Sequence, residues 1–98
     1  MFSSMAQNAI REKKCLQLQY DGFTRVVEVH VVGFKQNGGE AMGIWQIRGG
    51  CVSGEGTGFK LFELQKSFHA HVIDEQSHAP RTGYKRWDKT FKIIYQQV

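Results

Sequence analysis

Apolar residues recur along the chain with two different periods, and the change between them marks the first structural boundary. Met5, Ala6, Ala9 and Ile10 are spaced as one side of a short helix, with Ser4 and Gln7 as a capping pair at its start and Lys13 and Lys14 at its basic C-terminal end. From Cys15 the period becomes two. Leu16, Leu18 and Tyr20 alternate with Gln17 and Gln19, which predicts a strand, and Asp21-Gly22 supplies hairpin residues that tolerate positive φ. The valine-rich run from Thr24 to Phe34 predicts a second, long strand, Asn37-Gly38-Gly39 a tight turn, and the stretch from about Ala41 to Arg48 a third strand. Gly49, Gly50, Gly54, Gly56 and Gly58 mark a loop whose backbone can approach a ligand closely. Phe59 to Leu64 is a fourth strand, and Lys60, Phe62, Leu64 and Lys66 share one face of it. Phe68 to Ile73 alternates again as a fifth strand, and Asp88 caps a last helix in which Phe91, Ile94, Tyr95 and Val98 recur at helical spacing.

Five short strands with tight turns and a helix at each end predict a mainly β (α+β) domain over residues 1–98, a small, strongly bent five-stranded sheet or barrel. Composition agrees with a globular chain: 41% hydrophobic and 22% charged residues exclude disorder, and no apolar run approaches the roughly 20 residues of a membrane-spanning helix. Met1-Phe2-Ser3-Ser4 lacks the basic region and apolar block of a leader, so the expected compartment is the cytoplasm. Cys15 and Cys51 have no paired spacing and predict neither a disulfide nor a zinc ribbon. The net charge of +4 is concentrated between Ala79 and Val98, where Arg81, Lys85, Arg86, Lys89 and Lys92 face the single acid Asp88. Such a tail either attracts a polyanion or is a solvated basic face.

The candidate chemistry is recognition rather than catalysis. Arg25, Arg48, Lys60 and Lys66 lie on or beside consecutive strands, and Tyr20, Trp45 and Phe62 lie among them. Cations for phosphate and aromatic faces for bases are what a nucleotide or single-stranded nucleic-acid site needs. The alternative for the cations is surface charge paired with Glu28, Glu40 or Glu63, and for the aromatics a place in the core. Arg81 is a further cation within reach of a ligand, although the turn Pro80-Arg81-Thr82-Gly83-Tyr84 reads as structural, with Tyr84 packing back on the sheet. His69 and His71, with His78 or Cys51, match no compact zinc spacing, and His30 reads as a strand histidine with a hydrogen-bond partner. The glycine loop lacks the Gly-Lys-Ser/Thr ending of a phosphate-binding P-loop. Cys15, Cys51 and Ser53 have no neighbouring base, and no carboxylate pair suggests hydrolysis, so neither an enzyme, a metal nor a cofactor is expected.

Taken in order, Ala9-Ile10-Arg11-Glu12, Tyr20-Asp21-Gly22 with Arg25, Trp45 with Arg48-Gly49-Gly50, Gly58 to Lys66, and Ala79 to Tyr84 resemble the WYL domain family, ligand-sensing modules of bacterial transcription regulators. The likeness covers nearly all of the chain. It implies an SH3-like or Sm-like barrel that binds a nucleotide or oligonucleotide-type effector, working with a separate DNA-binding regulator or as a homodimer. The chain departs from the family where Glu40-Ala41-Met42 stands in place of the naming tripeptide, where Lys60 and Lys66 stand in place of arginines, and at His30, where a proline is common. Lysine keeps the charge but lacks the planar fork that holds phosphate bidentately. The competing expectation is a protein-interaction or assembly module that uses the barrel edge or the last helix.

Overall fold

A computed structural model describes residues 2–51 and 57–98. Gly54, Gly56 and Ser53, singled out in the sequence, lie outside the described residues. Helix α1 (Phe2–Glu12) is followed by β1 (Lys14–Tyr20), β2 (Phe23–Lys35), β3 (Glu40–Gly49), β4 (Gly58–Glu63), a 3-10 turn (Leu64–Lys66), β5 (Ser67–Gln76) and β6 (Phe91–Gln97). All strands join one bent antiparallel sheet in the order β4-β3-β2-β1-β5, with β6 added beside β2. Among the described residues no helix is long and apolar enough to cross a membrane.

The first hairpin follows from local chemistry. Tyr20 pairs with Phe23 across a two-residue turn in which Asp21 and Gly22 both adopt positive φ, 51° and 79°, the geometry whose twist matches that of the flanking strands. α1 already includes Phe2 and Ser3, so Ser4 lies inside its first turn rather than at its cap. Its inward side, Ala6, Ala9 and Ile10, packs on Leu16, Leu18, Val27, Val29, Met42, Ile44 and Phe62 to form the main core.

β2 is the spine. Arg25 to Gly33 are all buried because both faces of the strand are covered. Its register against β3 slips between Val29 and Val31, so Val27 and Val29 face the main core before the slip and Val32 faces it afterwards, while Val31 joins Ala41 and Phe91 in a smaller cluster with Tyr84 and Ile94.

Two expectations fail here. The helix over Phe91 to Val98 is instead a strand, making six strands and leaving α1 as the one α-helix among the described residues. β1 covers β2 only from Phe23 to Val27, so the same edge from Val31 to Lys35 would leave backbone groups unpaired without β6. Register slips at Val32/Gly33 and Phe34/Lys35 disrupt the alternation in β6, burying Phe91 and leaving Ile93 exposed, which imitates a helical spacing in the sequence. Gly33 permits the pairing: a Cβ there would clash with the Ile93 carbonyl oxygen. The second failure concerns the face assigned to Lys60, Phe62, Leu64 and Lys66. β4 ends at Glu63 and the 3-10 turn breaks the alternation, so Leu64 is buried and Lys66 projects to solvent.

A candidate ligand cleft and its buried support

The sequence-expected site residues separate into three groups. Tyr20 and Phe62 stack with ring centroids 4.0 Å apart and planes 7° apart, both buried. The Arg25 guanidinium lies over them, 5.5 Å and 5.2 Å from the centroids, and is itself only 2% exposed. It donates to the Tyr20 carbonyl oxygen (3.1 Å) and to Gln46 Oε1 (3.3 Å), while Gln46 Nε2 donates to the Gly50 carbonyl (3.1 Å). These three expected ligand contacts thus form a buried cation–aromatic stack beneath the sheet surface, without an open face for a base or phosphate. Arg48 and Lys66 form the second group. Arg48 grips Glu75 with two hydrogen bonds of 2.9 and 2.6 Å, and Lys66 pairs with Glu63 at 3.1 Å, so both cations are held by carboxylates.

Trp45 and Lys60 make up the third group, beside an open cleft of about 380 Å³ between β4 and the segment that leads into β6. Lys60 lines this cleft together with Phe59, Leu61, Tyr84, Lys85 and Phe91. Trp45 pairs across the sheet with Phe59, ring edge to ring face at 4.9 Å. Phe59 and Leu61 are 43% and 44% exposed, an apolar pair on the face of β4 opposite to Phe62. The sequence draws attention to Lys60 and Phe62; the positions alternating with them, Phe59 and Leu61, are apolar and exposed where a half-buried strand normally carries polar residues.

A buried polar network holds the far wall. Glu28, fully buried on β2, accepts from Arg81 Nε (2.6 Å) and Nη2 (3.1 Å) and from the His78 backbone N–H (2.6 Å). Burial alone would raise the Glu28 pKa, but the Arg81 and His78 hydrogen bonds outweigh it and hold the carboxyl below its ordinary value. His30 is buried too. Its Nε2 accepts from the Arg81 backbone N–H (2.9 Å), which makes Nδ1 the protonated nitrogen, donating to the Glu28 carbonyl (3.0 Å). Burial pushes the His30 pKa below its usual value, so the ring stays neutral and keeps that acceptor. Tyr84 completes the wall, donating its hydroxyl to the His30 carbonyl (3.2 Å) with its ring edge-on to the imidazole at 5.0 Å. Arg81 also lies 5.3 Å over Trp45, so the turn expected to be structural is pinned to both β2 and β3.

Among the described residues no three of His, Cys, Asp and Glu converge as a metal site. His69 and His71 are exposed on β5. Cys15 is fully buried and its thiol pKa is pushed up to about 11, chiefly by that burial, which leaves it protonated and unreactive at neutral pH. The arrangement thus offers an aromatic and aliphatic surface with cations at its border. No family model, curated protein or solved structure matches the chain.

Proposed function

We propose that the chain is a non-catalytic, effector-binding module akin to WYL domains, built on an SH3-like or Sm-like sheet, and that its cleft takes a nucleotide or oligonucleotide-type effector. The observation that carries the reading is the open cleft of about 380 Å³ in which exposed Phe59 and Leu61 face Tyr84 beside Lys60 and Lys85. Its volume falls in the range of small-ligand sites, roughly 300–1,000 Å³, and apolar walls with a few polar groups are the usual composition of such sites. A base stacks on the Phe59 ring and phosphate meets Lys85. The strand order β4-β3-β2-β1-β5 with a helix over one end supports the barrel-like reading. The resemblance of its motifs to WYL domains supports a role in bacterial transcription regulation, acting with a separate DNA-binding regulator or as a homodimer. Relative to the sequence-based site, Lys60 borders the cleft, Trp45 supports Phe59, and Arg25, Tyr20 and Phe62 hold the scaffold.

The test is titration with mononucleotides and cyclic dinucleotides, read by tryptophan fluorescence, because Phe59 touches Trp45. Saturable quenching that Phe59→Ala and Lys85→Glu weaken at least fivefold is expected. Absence of saturable change with every nucleotide refutes the reading. A second reading, a protein-assembly module, rests on the same apolar pair: β4 is the end strand of the sheet path, and Phe59 and Leu61 are exposed on it. It predicts a concentration-dependent mass in sedimentation that Leu61→Lys abolishes, with nucleotide having no effect.

A further inference from the structure

We infer that the segment after the cleft, carrying Arg86, Trp87, Lys89 and Lys92, is a second binding site that takes single-stranded nucleic acid, separate from the cleft and resting on different residues. Trp87 is 69% exposed, the most exposed large apolar side chain among the described residues. An indole left in water on a loose loop would be unremarkable, but this one is held in place. Trp87 has a positive φ of 59°, and its backbone N–H donates to Gln97 Oε1 of β6 (3.0 Å). Three residues on, the Thr90 carbonyl accepts from the Gln36 N–H (2.9 Å) at the end of β2. The lone acid of the segment, Asp88, is engaged with its own turn: Oδ1 accepts from the Thr90 N–H (2.8 Å) and its carbonyl from the Phe91 N–H (3.1 Å). Backbone and acid are thus both committed to presenting the indole outward.

Asp88 apart, the charges around it are positive. None of the ion pairs among the described residues uses Arg86, Lys89 or Lys92, in contrast to Arg48, Lys66 and Arg81, each of which is held by a carboxylate. The Arg86 guanidinium lies 5.6 Å over the Trp87 ring, so cation and stacking surface form one unit. Beside it a depression of about 390 Å³ is lined by Trp87, Lys89, Lys92, Gln36 and Ile94, with Asp88 and Phe91, which also border the cleft, between the two. Single-stranded nucleic acid fits this surface because it offers an unstacked base to the indole and a phosphate to each of several cations. A duplex offers the cations the same charge but keeps its bases stacked away from Trp87.

The experiment is fluorescence anisotropy of an end-labelled short oligothymidylate against the whole chain, with a duplex of equal length and a mononucleotide competitor alongside. The single strand is expected to bind in preference to the duplex. Its affinity should fall about twentyfold between about 50 and 200 mM salt, the dependence for three phosphates neutralised on a single strand. Trp87→Ala should weaken binding about five- to hundredfold, the range for loss of one stacked base, with Trp87→Phe retaining most of the affinity. Lys89→Glu with Lys92→Glu should weaken binding and flatten the salt dependence. Mononucleotide binding in the cleft should be unchanged in all three variants, which separates this site from the nucleotide reading above. Duplex binding as tight as single-strand binding, or unchanged single-strand affinity in Trp87→Ala, overturns the inference.

Discussion

Replacing Arg81 by alanine tests whether the buried carboxylate of Glu28 organises the wall of the cleft. In the native protein that carboxylate is fully buried and accepts three hydrogen bonds, two from the Arg81 guanidinium and one from the His78 N–H. The variant leaves the last of these alone. Breaking a buried pair by removing one partner costs about 3–5 kcal/mol, because the remaining charge is buried uncompensated. The Arg81 side chain is 33% exposed, so solvent already screens part of the attraction, which brings the expected loss to about 2–4 kcal/mol. Glu28→Gln is the converse change and should cost less, about 1–2 kcal/mol, since the arginine left behind can hydrate at its exposed edge while the amide still accepts a hydrogen bond.

The pH dependence carries a sign of its own. The native Glu28 pKa is lowered, so its contribution is present above the unfolded value of 4.5 and is lost as pH falls through the lower, folded value. In Arg81→Ala, burial dominates and raises that pKa, so the variant is most destabilised at neutral pH and regains ground as the carboxyl protonates. Urea unfolding followed by tryptophan emission suits the measurement, because Arg81 lies over Trp45. A gap between wild type and Arg81→Ala that stays constant from neutral pH to about pH 4 would refute the reasoning, as would a larger loss in Glu28→Gln than in Arg81→Ala.

His30 gives a second acid-dependent effect. Its folded pKa lies below 6.5, so its contribution is complete above that value and declines as pH falls through 6.5 toward the folded pKa. His30→Phe should remove that slice of the pH profile while lowering stability at neutral pH by about 1–3 kcal/mol through the unpaired Arg81 N–H, both read from urea midpoints. Gly33→Ala, which drives a Cβ into the Ile93 carbonyl, should cost about 1–3 kcal/mol or more and selectively speed hydrogen exchange of the β6 amides. Uniform acceleration across the sheet would argue against a local clash. Native-state alkylation mapped by mass spectrometry should leave Cys15 unmodified until the chain unfolds, and rapid labelling at neutral pH would contradict its burial and its raised pKa.

Much of the architecture was legible in single-chain patterns because it depends on neighbours in sequence. The alternation from Leu16 to Tyr20, the Asp21-Gly22 turn and the valine run each specify a strand or turn through local sterics, and all of them appear where the pattern placed them. The last element was misread for a physical reason. Phe91, Ile94, Tyr95 and Val98 have helical spacing, yet β2 outlasts β1 and needs a partner for its remaining backbone groups, a requirement set by a strand more than fifty residues away.

The candidate site shows the same division. Residue types alone determined that this chain carries cations and aromatics on adjoining strands, a basic C-terminal stretch and few features of catalysis. Which of those groups remain available was decided by tertiary contacts. Arg25 is buried in the Tyr20–Phe62 stack, Arg48 and Lys66 are bound by Glu75 and Glu63, and Arg81 is drawn to Glu28. Phe59 and Leu61 are left facing outward with Tyr84 across from them, and Trp87 projects from an anchored turn. A side chain's charge and shape are intrinsic to the sequence, whereas its freedom to meet a ligand depends on which distant groups the fold brings against it.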